Sequence, residues 1–145
     1  MHRSLTRNEA GALELPDGRH IRGTALHRAR GAVGPPDFAV YLLGRPPGDQ
    51  PWEFRWVKWR DFGRPSSTAD AVDALREAFE RSSRERVEIA CDGGIGRTGT
   101  ALALMAMMAG TPSVDAVAWV RKNYHPRAVE TPGQRRWLDE TAARL

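Results

Sequence analysis

The chain has one cysteine, Cys91, in 145 residues. One thiol cannot close an internal disulfide, so nothing asks for an oxidising compartment, and a cytoplasmic setting is expected. Long apolar runs are missing too. The longest, residues 101–109, suits a single buried helix and falls well short of a membrane span. The opening stretch MHRSLTRNEAGALEL lacks the apolar core of a secretory signal. The four histidines (His2, His20, His27 and His125) stand at no ligand spacing from Cys91, which argues against a zinc site. Lysine is scarce. The basic residues are almost all arginines, scattered along the chain, with no run of five and no basic stripe interleaved with aromatics. The net charge of +4 therefore reads as a solvated basic surface that attracts anionic substrates, and no nucleic-acid partner and no membrane partner are expected. Repeats and low-complexity segments are absent as well.

What is present is an ordinary globular composition, 41% apolar and 28% charged, which suits one domain over 1–145. Residues 1–60 read as strand-rich. The Pro-Asp-Gly turn in ALELPDGRHIRGTAL predicts an opening hairpin. DFAVYLLG reads as a buried strand, and WEFRWVKW as a strand that alternates through Trp52, Phe54 and Trp56 and turns those aromatics into the core. Residues 61–145 hold the helices. Residues 66–82 carry a Ser/Thr-rich cap and an apolar face of Ala71, Val72, Leu75, Ala78 and Phe79. RVEIA is a short strand, 98–109 an apolar helix, 113–124 a helix capped by Ser113, and 131–145 a helix with Pro132 in its first turn. The expected fold is α/β, a single compact domain with a central mixed sheet flanked by helices.

Between the strand RVEIA and the helix at Thr98 lies CDGGIGR. A loop of this length can curl so that successive backbone N–H groups converge on one anion. Gly93, Gly94 and Gly96 permit positive φ and close approach of backbone to ligand. The helix that follows aims its positive end at the same point, and Arg97 adds a planar fork that matches two phosphate oxygens. The same field favours the thiolate of Cys91, which then faces the phosphorus of whatever the cradle holds. The chemistry read from these residues is nucleophilic attack giving a cysteinyl-phosphate. Asp92, Gly93, Gly94, Ile95, Gly96 and Arg97 would bind the phosphoryl group, with no metal and no organic cofactor.

CDGGIGRTGT resembles the signature loop of the cysteine-based protein tyrosine and dual-specificity phosphatases, Cys-x5-Arg followed by Ser or Thr. Two further stretches, in the order that family uses, strengthen the resemblance. WRDFGRP, residues 59–65, is similar to the family's Trp-Pro-Asp loop, and the match makes Asp61 the general acid for the leaving oxygen. ETPGQRRWL, residues 130–138, is similar to the family's glutamine-bearing loop. The match makes Gln134 a residue that helps place the hydrolytic water, and Thr98 the hydroxyl that stabilises the departing thiolate. The resemblance implies a phosphatase-like fold and a phosphorylated protein or small phosphate monoester as substrate. It also implies inhibition by phosphate-like oxyanions. The oligomeric state is left open.

Three departures from that pattern bear on activity. Ala90 stands where the family usually has a histidine that helps hold the thiolate. Arg60 replaces the proline of the acid loop, which frees its backbone. Glu130 stands where a first glutamine is often found, which alters how water is oriented. Asp92 puts a negative charge in the loop, which disfavours a highly charged head group unless its side chain faces solvent. Retention of Cys91, Arg97 and Asp61 favours an enzyme over a phosphate-reading binding module with weak catalysis, because binding needs neither an acid nor a thiolate. Action on RNA ends or inositol phosphates is a third reading, resting only on net charge.

Overall fold

The uninterrupted apolar runs become the centre of a sheet. In a computed structural model of the chain, which describes Leu5, residues 11–30 and residues 33–145, strands β3 (Phe38–Leu43) and β5 (Val87–Cys91) are buried along their whole length. Burial on both faces is what central parallel strands require. The predicted hairpin forms β1 (Ala12–Glu14) and β2 (His20–Ala25), antiparallel, with Leu13 opposite Ile21. With β4 (Glu53–Lys58), the sheet has the order β1-β2-β5-β3-β4. β2, β5, β3 and β4 run parallel, so their C-terminal ends share one edge, with β5 between β2 and β3. In open parallel sheets ligands sit at that edge, and the loop after β5 lies there.

Four helices follow: α1 (Thr68–Arg81), α2 (Gly96–Met108), α3 (Ser113–Asn123) and α4 (Pro132–Thr141), the last running into a 3-10 turn over Ala142–Arg144. All four join one apolar core against a single face of the sheet. Ser67 caps α1 by accepting from the Asp70 N–H at 3.1 Å, and Thr131 caps α4 by accepting from the Gln134 N–H. α3 departs from expectation: Pro112 is its cap, no side chain closes the end, and Ser113 is the first helical residue. No helix among the described residues is long and apolar enough to cross a membrane.

The aromatic stripe of WEFRWVKW faces the other way from its expected orientation. Val57 and Trp59 enter the main core, while Trp56 is 38% exposed. Trp52 and Phe54 are half-buried on the opposite face, where with Leu26 they cover Ala39, Tyr41, Leu43 and Ala90. The helix side of this edge strand is closed by charge. Arg55 binds Asp73 and Glu77 on α1, and Arg81 of α1 binds Glu53. That leaves the aromatics to shield the face the helices do not cover.

Candidate active site

Helix α2 begins at Gly96, two residues earlier than the apolar pattern suggested, with Ile95 as a cap that offers no side-chain bond. The N–H groups of the first turn have no intrahelical acceptor, so the loop after β5 ends on unsatisfied donors carrying the positive end of a buried helix. Gly94 has φ +69°, and a Cβ there would lie 2.8 Å from Ala25. Only glycine lets the loop turn this tightly against β2.

The cysteine is buried, 2% exposed, at the end of β5. Its sulfur accepts from the Gly94 N–H at 3.2 Å and from the Thr98 hydroxyl at 3.0 Å. Ala90, the residue before it, packs on the far face of the sheet with Tyr41 and Leu43, so the sheet separates its side chain from the thiol. The sulfur's hydrogen bonds come from its own loop and helix.

Arg97 is 3% exposed and uses one end structurally: its Nη1 donates to the carbonyl of Trp59 at 3.1 Å. Its other edge has no hydrogen bond among the described residues. Nε stands 3.6 Å from Asp61 Oδ1 and is buried without a partner, and Nη2 stands 3.8 Å from Asp92 Oδ2. These are ion-pair separations, too long for hydrogen bonds. A buried guanidinium edge with both donors open fits two oxygens of one tetrahedral anion. Asp92 itself is exposed and turns toward this guanidinium.

The loop after β4, which carries Asp61, is held at three points. Trp59, fully buried, donates from its ring nitrogen to the Gly63 carbonyl at 2.7 Å and stacks edge-on against Trp137 of α4 at 5.3 Å, a pairing that contributes about 0.5–1.5 kcal/mol beyond area burial. Gln134 Nε2 donates to the same carbonyl at 3.1 Å. Arg64 bonds Glu140 at 2.7 Å. Phe62 takes a left-handed φ of +63°, and its N–H donates to Asp61 Oδ1, which turns the carboxylate toward Arg97. Arg60 is exposed and packs beside Gly44.

Gln134 is fully buried and engaged at both ends, since its Oε1 also accepts from the Glu130 N–H at 2.8 Å. It links the Asp61 loop to the 130 loop. Glu130 is the group that reaches the loop after β5: a Cβ on Gly96 would overlap its carboxylate. Arg121 holds the base of this loop by donating to the carbonyls of Ala128 and Val129, both at 2.8 Å.

Cys91, Arg97, Thr98, Asp61, Glu130 and Gln134 thus converge on one edge of the sheet. A cavity of about 310 Å³ opens elsewhere, between Thr24, Leu26, Arg30, Tyr41 and Trp52, and includes none of them. Two contacts behind the loop have no counterpart in the sequence reading. His27 donates from Nδ1 and from its backbone N–H to the Asp92 carbonyl, at 2.7 and 3.0 Å. Tyr124 donates from its hydroxyl to the Gly94 carbonyl at 2.5 Å. The sequence placed a histidine just after β2 and a tyrosine at the end of α3, but neither spacing nor pattern ties them to the loop. His125 accepts locally from the Arg127 N–H.

Comparison with known proteins points the same way. A profile described as protein-tyrosine phosphatase matches residues 39–138. An uncharacterized protein of Methanocaldococcus jannaschii is 30% identical over 125 residues, covering 72% of this chain and 76% of its own. Tk-PTP, solved in its active form, is 28% identical with a TM-score of 0.70, over 94% of this chain and 99% of that one. Kinase associated phosphatase, solved with serine in place of its catalytic site cysteine, has a TM-score of 0.69 at 14% identity, over 97% and 98% of the two chains. At that identity the likeness is one of fold.

Proposed function

The chain belongs to the protein-tyrosine phosphatase family, and from that premise we propose that it is an active phosphate monoester hydrolase, acting on phosphotyrosine or a comparable ester through a cysteinyl-phosphate. One observation carries the reading: two donors meet at the Cys91 sulfur while Arg97, close by, keeps a buried edge open.

In this scheme the ester's phosphoryl oxygens take the Nε and Nη2 donors of Arg97 and the N–H groups of residues 92–97. The Cys91 thiolate attacks phosphorus, the S–P bond forms as the P–O bond to the leaving group breaks, and Asp61 gives its proton to the departing oxygen. Water then attacks the cysteinyl-phosphate, returning that proton to Asp61 and releasing inorganic phosphate and the thiolate. Thr98 stabilises the sulfur as it leaves. Glu130 holds the water beside the loop, and Gln134 braces Glu130 and the acid loop together. Donors fixed in advance are what make such a site effective, because nothing need reorganise as charge moves onto the phosphoryl oxygens.

Acid quenching during steady-state turnover of a phosphotyrosine peptide tests the intermediate. Digestion and mass spectrometry are expected to find a phosphoryl group on Cys91. Its absence during active turnover would sink the covalent route. Asp61→Asn tests the acid. The rate with phenyl phosphate is expected to fall by about 10²–10⁴-fold. The loss should shrink for esters whose leaving group departs readily as an anion. An equal loss across leaving groups would mean that Asp61 does not protonate the departing oxygen.

A further inference from the structure

A phosphate cradle needs its N–H groups turned inward, and in a planar trans peptide this means the paired carbonyl points outward. An outward carbonyl near the interior must find a donor. In this loop the donors come from two places. The Cys91 carbonyl accepts from the Leu26 N–H at 2.9 Å and the Asp92 carbonyl from His27, which fixes the peptides that carry the Asp92 and Gly93 N–H groups. Both donors lie just after β2. The next held carbonyl, that of Gly94, is served by Tyr124 at the end of α3.

Resting on the phosphatase reading above, we propose that Tyr124 is a positioning residue that sets the Gly94–Ile95 peptide so that the Ile95 N–H faces the bound phosphoryl group. The tyrosine is itself held in place. Its ring packs against the main core, and it fills the space that a side chain at Gly23 would take, because a Cβ there would overlap the ring and its oxygen. Its backbone N–H is bound to the Val120 carbonyl at 2.8 Å. Burial, and then the charge of Cys91 nearby, push the phenol's proton affinity up, against a smaller opposing effect of Arg28, so the hydroxyl stays a donor throughout the working range. A second acceptor contact sets the geometry: the Gly94 N–H already points at the Cys91 sulfur, so the residue's N–H and C=O are anchored to nucleophile and tyrosine respectively.

Tyr124→Phe keeps the ring and removes the donor. Titration with inorganic phosphate, read by calorimetry and by the amide resonances of residues 92–97, is the measurement. Loss of one oriented donor is expected to weaken phosphate binding about tenfold and to shrink the phosphate-induced shift of the Ile95 resonance, with the thermal midpoint lowered by only a few degrees because one carbonyl loses its donor. Gly23→Ala, which displaces the ring and leaves the hydroxyl in the chain, is expected to weaken phosphate to a similar extent. In the double variant the two losses should not add, since both act on one contact. Unchanged phosphate affinity and an unchanged Ile95 shift in folded Tyr124→Phe would overturn the proposal, as would additive losses. Binding needs no turnover, so a wild type that binds phosphate without hydrolysing esters would defeat the enzyme reading alone. A wild type that hydrolyses esters while Tyr124→Phe binds phosphate normally would defeat only this inference.

Discussion

Cys91→Ser is expected to lower turnover of para-nitrophenyl phosphate by about four orders of magnitude or more, measured with a reductant and without added metal. Serine keeps the shape of the site and loses its nucleophile. A hydroxyl at this position needs a base to activate it, and the partners that bond the sulfur among the described residues are donors, not bases. Thr98 meets the sulfur as a donor, the Gly94 N–H likewise, and the Asp61 carboxylate stands beyond the Arg97 guanidinium. Phosphate binding should move the other way. The open edge of Arg97 and the first turn of α2 are untouched, and a neutral hydroxyl replaces the thiolate of the proposed mechanism, which would repel a dianion. Phosphate is therefore expected to bind the serine variant at least as tightly as the wild type. Equal turnover by the two proteins would remove the thiolate from the mechanism. Phosphate binding by both with turnover by neither would make the chain a phosphate-reading module.

How much of this was legible in the sequence follows from the range of the forces involved. The strand, the glycine turn and the helix around Cys91 are local. Their residues are contiguous, and the chemistry of a thiol and a guanidinium separated by five residues can be argued without a fold. Asp61, Glu130 and Gln134 entered through resemblance, because nothing in their own neighbourhoods says that the ends of β4 and α3 return to the same edge of the sheet. The structure gives Gln134 a bracing geometry: its carboxamide spans two loops, from Gly63 to Glu130, contacts that only tertiary structure creates.

Tyr124 and His27 were invisible for the same reason. Each serves a backbone carbonyl, and a carbonyl's need for a donor leaves no mark on the sequence. The misjudged face of β4 has a different origin. Period-two alternation says that a strand has two unlike faces, but not which faces the helices. Trp52 and Phe54 lie on one, Val57 and Trp59 on the other, and α1 settles the matter through its charged partners Asp73 and Glu77.

The same limit hid the most consequential polar residue outside the site. RVEIA carries one acid, and glutamates are almost never fully buried unless paired. Glu88 is fully buried in β5. Arg22 of β2, 2% exposed, donates to it from Nε and Nη2 at 3.1 and 2.8 Å, and Arg30 donates from both Nη atoms at 3.0 and 2.8 Å. Arg30 lies over the Trp52 ring, so the triad pins the segment after β2 across the face that no helix covers. That segment begins with Leu26 and His27, which hold the back of the Cys91 loop. Burial works against ionising Glu88, but the Arg30 hydrogen bonds and the charges of both arginines outweigh it and hold the carboxyl below its ordinary range.

Glu88→Gln is therefore expected to cost about 3–5 kcal/mol, because it leaves Arg22 buried without a counter-charge. For a chain of this size that lowers the thermal midpoint by roughly 10 °C or more. Glu77→Gln, removing a partly exposed partner of Arg81, should cost about 1 kcal/mol or less. Adding Arg22→Met to Glu88→Gln should restore part of the loss, since a buried charge is then no longer stranded. Acid should act on the same group. A carboxyl whose folded pKa lies below its unfolded value contributes fully above the ordinary carboxylate range near ~4.3 and loses that contribution as pH falls through the folded value. Wild type should accordingly be destabilised by acid more steeply than Glu88→Gln, and the two unfolding curves should converge at low pH. Parallel curves throughout would mean that Glu88 is not the acid-sensitive support of this face.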